Sequence, residues 1–290
     1  MADELRCAAP GKLNLLLLVT GRRADGYHTL QTLFRFIDYA DTLTFTLRED
    51  GVVRRTAELA GVPAETDLMV RAARLLQREA HCRLGVDIAI DKRLPVGGGV
   101  GGGSSDAATT LIALNKLWNL KLSRLRLQAL GLQLGADVPV FVFGRNAFAE
   151  GIGEELQAVD LPRAWYVVLV PPVAVSTAAV FAGLQLTRTT SPVTIRAFSE
   201  GCERQAGPIA GLLGRNDLEN VVSRRYPEVA RHLEWLRQFG PAALTGSGAS
   251  VFCSFSSQAA AEAVLAQRPD GMQGFVAAGL SAHPLYDWIQ

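Results

Sequence analysis

The residue types best suited to chemistry are Lys12 near the start of the chain, Asp137 near its middle, and the stretch PVGGGVGGGSSDAA at Pro95 to Ala108 between them. Six glycines fall within Gly97 to Gly103, and Ser104, Ser105 and Asp106 follow at once. Glycine reaches φ > 0 readily and lets a ligand touch the main chain, because no Cβ intervenes. Before the run, Gly85 to Leu94 alternates as a half-buried strand does; after it, Ala107, Ala108, Leu111, Ile112 and Leu114 to Trp118 recur at helical spacing. A strand, a run of unblocked N–H groups and a helix N-terminus make an anion site, because free amides and the positive end of the helix dipole converge on it. Ser104, Ser105 or Asp106 is expected to cap that helix. The stretch is read as a cradle for the phosphates of a nucleotide.

Other readings of the loop fit less well. A flexible linker should be flanked by polar, patternless sequence, whereas this run joins an apolar strand to an apolar helix. Gly97, Gly99 and Gly102 satisfy G-x-G-x-x-G, but a dinucleotide site also needs an acidic residue about twenty positions on. No acidic residue lies between Asp106 and Asp137. The P-loop signature fails too, since no Lys-Ser or Lys-Thr pair follows the last glycine.

Lys12 and Asn14 share one face of a leucine-rich strand over Gly11 to Val19, where burying them without partners is costly. Lys12 is either a solvated strand end or a cation aimed at phosphate or at a hydroxyl whose pKa must fall. Asp137, among small and apolar neighbours, either caps a turn or serves as a poised base. Tyr27 and His28 close the polar turn GRRADGYH, where an aromatic could stack on a planar ligand and an imidazole could read its edge. An ordinary surface turn explains the same residues.

The elements that must position these groups can be outlined in order. Thr42 to Leu47 and Val52 to Glu58 are expected strands, and Thr66-Asp67 caps a helix carrying Leu68, Ala72, Leu75 and Leu76. Ser123 caps another helix, through about Leu134, and Val140 to Phe143 reads as an apolar strand. A second unit begins near Leu161, with strand Trp165 to Val170 and a short helix Ser176 to Phe181. Leu186 to Pro208 reads as loops, and Pro227 to Phe239 and Gln258 to Gln267 as helices flanking the turn ALTGSGASVF.

Composition bounds the rest. A chain of 290 residues, 49% of them hydrophobic, can bury a large core and is expected to form two domains, 1–160 and 161–290. Net charge is +1, with no basic runs, so neither nucleic acid nor a membrane is an expected partner. Cys7, Cys82, Cys202 and Cys253 are widely spaced, which argues against a zinc or disulfide framework and for a reducing, cytoplasmic setting. Leu13 to Val19 lacks a signal-peptide cleavage site, and Trp165 to Val175 is too short to cross a bilayer.

Three stretches in this order, PGKLN at Pro10 to Asn14, the central glycine run and LTGSGASVF near the end, resemble the GHMP small-molecule kinases. The resemblance covers nearly the whole chain. ADGYHTLQTLF, the doubled glycine triplet and LGADVPVFVFG resemble the members that phosphorylate a cytidine diphosphate-linked methylerythritol on its 2-hydroxyl, in the non-mevalonate route to isoprenoids. It implies a two-domain α+β GHMP kinase fold, with an N-terminal nucleotide-binding domain like domain 2 of a ribosomal protein and a ferredoxin-like C-terminal domain. The active site would lie in the cleft between them. ATP and Mg²⁺ are the implied co-substrate and metal, and the chain is expected to act as a monomer or weak homodimer.

Carried over residue by residue, the resemblance makes Asp137 the base and Lys12 the cation beside it. Asn14, Tyr27, His28, Thr177 and Phe181 would bind substrate, with cytosine between Tyr27 and Phe181 and its edge read by His28. Asp67, Lys92, Pro95, Val96, Gly97, Gly98, Gly99, Val100, Gly101, Gly102, Gly103, Ser104 and Ser105 would bind ATP. Asp67 and Asp106 stand where asparagine is usual, and Asp106 is expected to point away from phosphate and cap the helix. A GHMP kinase for homoserine or mevalonate, and a non-catalytic nucleotide-binding module, are the competing readings.

Overall fold

The computed structural model describes residues 3–24, 26–59, 61–184 and 213–289. Two strands dominate the first half, β1 (Glu4–Arg22) and β2 (His28–Arg48), paired antiparallel along nearly their whole lengths. Their inward residues, among them Leu13, Phe34, Phe36 and Phe45, are fully or almost fully buried. Lys12 and Asn14 sit opposite Phe36 and Phe34, and register shifts on either side of them mark bulges that re-aim local side chains. The long β2 extends the expected Thr42-to-Leu47 strand back to His28, while the expected polar turn lies between β1 and β2, where Arg23 N–H donates to the Tyr27 carbonyl.

Four short strands complete this sheet: β3 (Val53–Arg55), β4 (Gly85–Asp91), β5 (Ala147–Glu150) and β6 (Glu155–Ala158). They run in the order β3-β4-β2-β5-β6, with β1 also on β2. Helices α1 (Leu68–Glu79), α2 (Gly102–Leu117), α3 (Arg124–Leu132) and α4 (Val138–Phe143) form a large core with it, built on Leu76, Leu111, Leu114, Phe141 and their neighbours. Asp67 and Ser123 cap α1 and α3 through their side chains, as expected.

Val138 to Phe143 is a helix, not the strand that its apolar run suggests. Val138 to Val142 are all buried, so no polar face betrays the period. The ends decide it: Pro139 sits in the first turn and Gly144, at φ 78°, stops the helix in the left-handed region.

A second sheet has the order β10-β7-β9-β8, made of β7 (Trp165–Val170), β8 (Ala242–Leu244), β9 (Val251–Phe255) and β10 (Gln273–Ala278). Around it lie α5 (Thr177–Ala182), α6 (Glu219–Arg225), α7 (Pro227–Leu236) and α8 (Gln258–Ala266). Leu13, Ile37, Leu94 and Val100 pack with Val168, Phe252 and Phe275, so one apolar cluster joins the two sheets. The expected loops at Leu186 to Pro208 and Cys202 lie outside the described residues. Among the described residues, no helix is long and apolar enough to cross a membrane.

Candidate active site

A cleft of about 1710 Å³ runs along the face where the glycine loop, the β1–β2 pair, α5 and the β8–β9 turn meet. Ligand pockets commonly span about 300–1,000 Å³, so this one has room for two reactants end to end.

At its centre, Lys12 is only 2% exposed, a cost that needs partners. Its ammonium donates to Asn14 Oδ1 at 2.5 Å and to the Gly99 carbonyl at 3.1 Å, and lies 3.3 Å from Asp137 Oδ2. The Phe34 ring lies 5.5 Å from the ammonium and adds a cation–π contact. Asp137 sits at the N-terminal boundary of α4, but its side chain caps nothing, and it is 38% exposed to the cleft. Of the two readings of Asp137, the geometry removes the cap.

Asn14 is fixed from three directions. Its side-chain amide donates to Thr32 Oγ1 at 2.8 Å, its backbone N–H donates to Thr245 Oγ1 at 3.0 Å, and its Oδ1 receives Lys12. Thr32 in turn donates to the Leu16 carbonyl. Sequence reasoning passed over Thr32 and Thr245 as individual residues. Thr245 lies within the quoted LTGSGASVF stretch, whereas an isolated threonine on an apolar strand gives no signal.

The glycine loop lies against this centre. Gly97, Gly99 and Gly101 have φ of 69°, 77° and 75°, a region open to glycine at little cost. A Cβ on Gly99 would fall 2.4 Å from the Thr245 carbonyl, and one on Gly101 would strike Phe141 and Lys12. Close backbone packing therefore adds to the torsional demand. The first helical bond of α2 runs from Ser105 N–H to the Gly101 carbonyl, and the helix cap, Gly101, makes no side-chain hydrogen bond. None of Ser104, Ser105 and Asp106 caps α2, contrary to expectation, so its leading N–H groups are left for an anion.

Pro95, Val96, Gly97, Gly98, Gly99, Gly101, Gly102, Gly103 and Ser104 line the cleft. Val100 and Ser105 instead face inward: Val100 is fully buried, and Ser105 Oγ is buried with no hydrogen-bond partner.

Two expected nucleotide contacts are engaged elsewhere. Asp67 borders the cleft, yet its Oδ1 accepts from Met69 N–H and its Oδ2 pairs with buried Arg55 at 2.5 Å. Lys92 also borders the cleft, but its ammonium is held by Asp41 and Asp106. Asp106 also borders the cleft, and its Oδ2 accepts from Lys92 instead of capping the helix as expected, because an ammonium is a stronger partner than a backbone amide. Arg55 and Asp41 went unnoticed in the sequence, since only the fold brings them to these positions.

At the far end of the cleft, His28 stacks on Phe181 with ring centroids 5.1 Å apart and planes 27° from parallel. Tyr27, expected to face Phe181 across a planar ligand, is 63% exposed at the cleft rim. Desolvation and then the nearby Arg22 hold the His28 pKa below its ordinary value. A neutral imidazole offers one donor and one acceptor to the edge of a base. Thr177 Oγ1 lies 2.7 Å from Ser247 Oγ, which links α5 to the β8–β9 turn.

Among the described residues, no group of three His, Cys, Asp or Glu side chains is arranged to hold a metal ion. The cleft as a whole provides a backbone anion cradle, an ammonium–carboxylate pair beside it, and an aromatic platform beyond.

Comparison with known proteins agrees with this geometry. Residues 67–145 match the GHMP kinases N terminal domain, and residues 194–272 match the GHMP kinases C terminal domain. A 4-diphosphocytidyl-2-C-methyl-D-erythritol kinase of Thiobacillus denitrificans is 60% identical over 281 residues, covering 97% of each chain. One of Burkholderia pseudomallei is 57% identical, covering 99% of each. A crystal structure of a 4-(cytidine 5'-diphospho)-2C-methyl-D-erythritol kinase superposes with a TM-score of 0.78 at 32% identity, covering 95% of this chain and 99% of its own.

Proposed function

The chain belongs to the GHMP kinases, and on that premise we propose that it transfers the γ-phosphoryl group of ATP to the 2-hydroxyl of 4-diphosphocytidyl-2-C-methyl-D-erythritol. The observation that carries this reading is the meeting of Lys12 and Asp137, 3.3 Å apart, beside the glycine loop.

Phosphoryl transfer asks the protein for position and charge neutralisation more than for covalent work. The N–H groups of Gly97 to Ser104 and the α2 dipole hold the triphosphate. Asp137 accepts the proton of the substrate hydroxyl and orients it in line with the γ-phosphorus. Lys12 stabilises charge developing on the alcohol oxygen and on the moving phosphoryl group. Asn14 positions the Lys12 ammonium. Tyr27, His28 and Phe181 receive cytosine, and Thr177 supports the substrate from α5.

Mg²⁺ would be held mainly by phosphate and water oxygens; the Ser105 hydroxyl, buried and unpartnered in the first turn of α2, would join that shell only by turning toward the cleft. When bound, the ion would supply neutralisation of phosphate charge. We assign nucleotide binding to residues 1–160 and substrate binding to 161–290 together with Asn14, Tyr27 and His28 of the first unit, in a cytoplasmic monomer or weak homodimer.

The test is ADP release over a panel of alcohols. Turnover with the cytidyl substrate far above that with homoserine or mevalonate supports the assignment. Equal or greater turnover with either small alcohol, or no turnover with any, overturns it.

A further inference from the structure

The segment after β10 leaves the second sheet and returns to the first unit, where it packs beside the helix that follows Asp137. Along residues 279–289, Leu280 N–H donates to the Phe36 carbonyl and His283 N–H to the Gly144 carbonyl, each at 2.8 Å. Leu285 and Ile289 are buried in the core of the first sheet. His283 Nδ1 accepts the Leu285 N–H at 3.1 Å, which leaves Nε2 to carry the ring proton toward Thr109 Oγ1 of α2, 3.4 Å away.

Arg124, the first residue of α3, fastens this segment to α4. Its Nη1 donates to the Val142 and Phe143 carbonyls at 2.9 and 3.2 Å, and its Nη2 to the Tyr286 and Ile289 carbonyls at 2.7 and 2.9 Å. The guanidinium carbon also lies 4.4 Å from the centroid of the Tyr286 ring. A planar fork of donors suits this bridge, where an ammonium is a point charge. Val142 and Phe143 are the last two residues of α4, where helix carbonyls lack partners within the helix and a cation is favoured.

Asp137 stands at the opposite end of the same helix and makes no capping bond that would fix it independently. The helix has six residues, about 9 Å at about 1.5 Å per residue, too short to keep its shape alone. At the Asp137 end it is seated on α3, where a Cβ on Gly131 would lie 2.9 Å from Val138 Cγ1. Its other end is set by Arg124, and by His283 through Gly144. The direction from which Asp137 reaches the alcohol therefore depends on that tie.

We infer that Arg124 is a positioning residue for phosphoryl transfer: by clamping the C-terminal end of α4 to residues 279–289, it holds Asp137 in register with the acceptor hydroxyl. The inference rests on the proposed role of Asp137 and goes beyond it, since Arg124 is not among the residues that line the cleft. Because residues 279–289 continue from β10, the clamp also ties the second sheet to the base.

Single-turnover transfer in the full chain, with ATP and the cytidyl substrate saturating, tests this in a double-mutant cycle of Arg124→Met and Asp137→Asn. A displacement of about 1 Å from the reacting geometry can cost about 10² in rate, so Arg124→Met should lower the rate about 10- to 100-fold. Dissociation constants for both substrates should stay within about twofold of wild type. On the Asp137→Asn background the same change should cost less than about twofold, because an effect carried by the carboxylate vanishes with it. A general loss of stability would instead cost the same factor on either background. Arg124→Lys keeps the charge but not the paired donors, and its rate should fall between those of wild type and Arg124→Met. It replaces Arg124→Met in the cycle if that variant does not fold.

The clamp is overturned if the Arg124 variant in the cycle transfers at the wild-type rate, if its loss is as large on the Asp137→Asn background, or if the loss lies in substrate affinity alone. Transfer by Asp137→Asn itself at the wild-type rate is a different outcome, and it would overturn the role of Asp137 on which the inference rests.

Discussion

On the proposed function, the β1–β2 pair carries chemistry near its middle and recognition at its tip, and the two regions are built in opposite ways. Around Lys12 the polar side chains hold one another: Asn14, Gly99 and Asp137 meet the ammonium, and Thr32 and Thr245 hold Asn14. At the tip, Tyr27 is mostly exposed and His28 rests on a single ring, that of Phe181. Charge transfer needs groups locked in place before the reaction, because reorganisation during it costs rate. Base recognition needs faces that a ligand can enter between. Substitutions in the middle of the pair should therefore act on kcat, and those at the tip on substrate KM.

The comparison breaks most visibly at Lys12. Lys12→Ala should lower kcat on the order of 10³-fold, in line with loss of a donor aimed at developing charge. A loss confined to KM would move Lys12 into the recognition half.

Gly99→Ala should come next. A non-glycine residue in the left-handed region costs about 1–2 kcal/mol, and overlap with packed backbone adds about 1–3 kcal/mol. ATP affinity should fall about a hundredfold in a binding titration, with cytidyl-substrate affinity preserved. Unchanged ATP binding would show that the loop does not form the cradle.

At the tip the effects are smaller. Tyr27→Ala should raise the KM for the cytidyl substrate about tenfold, within the 1–3 kcal/mol of a base–aromatic stack, and leave kcat within about twofold. A fall in kcat with unchanged KM would erase the contrast between the regions.

The mildest test is pH. The His28 pKa is held below its ordinary value by desolvation and Arg22, so the imidazole is neutral from about pH 6.5 upward. The KM for the cytidyl substrate should be flat above that point and rise only in more acidic solution, where His28 gains a proton. In His28→Gln the acid rise should vanish. If it persists, another group sets it.

Much of this was legible in the sequence, for reasons visible residue by residue. The glycine run, the strand before it and the helix after it carry strong local signals, and Asp67 and Ser123 cap helices as their types suggest. Lys12 declared itself because a lysine on a leucine-rich strand requires a partner. The misread strand at Val140 to Phe143 has a plain cause, that burial erases period. Val138 to Phe143 is apolar on all sides, so strand and helix look alike until Pro139 and Gly144 are weighed as end signals. The partners of charged residues were the least legible. Nothing in the spacing of Asp41, Lys92 and Asp106, or of Arg55 and Asp67, announces that folding brings them together.

The most direct test of the central claim is the single-turnover rate of phosphoryl transfer, by rapid quench with both substrates saturating, in wild type and Asp137→Asn. A carboxylate that accepts the hydroxyl proton and orients the alcohol should be worth about 10²–10⁴ in rate. The account predicts a fall of that size, with dissociation constants for ATP and the cytidyl substrate within about twofold of wild type, a difference of about 0.4 kcal/mol. Transfer at close to the wild-type rate would contradict it.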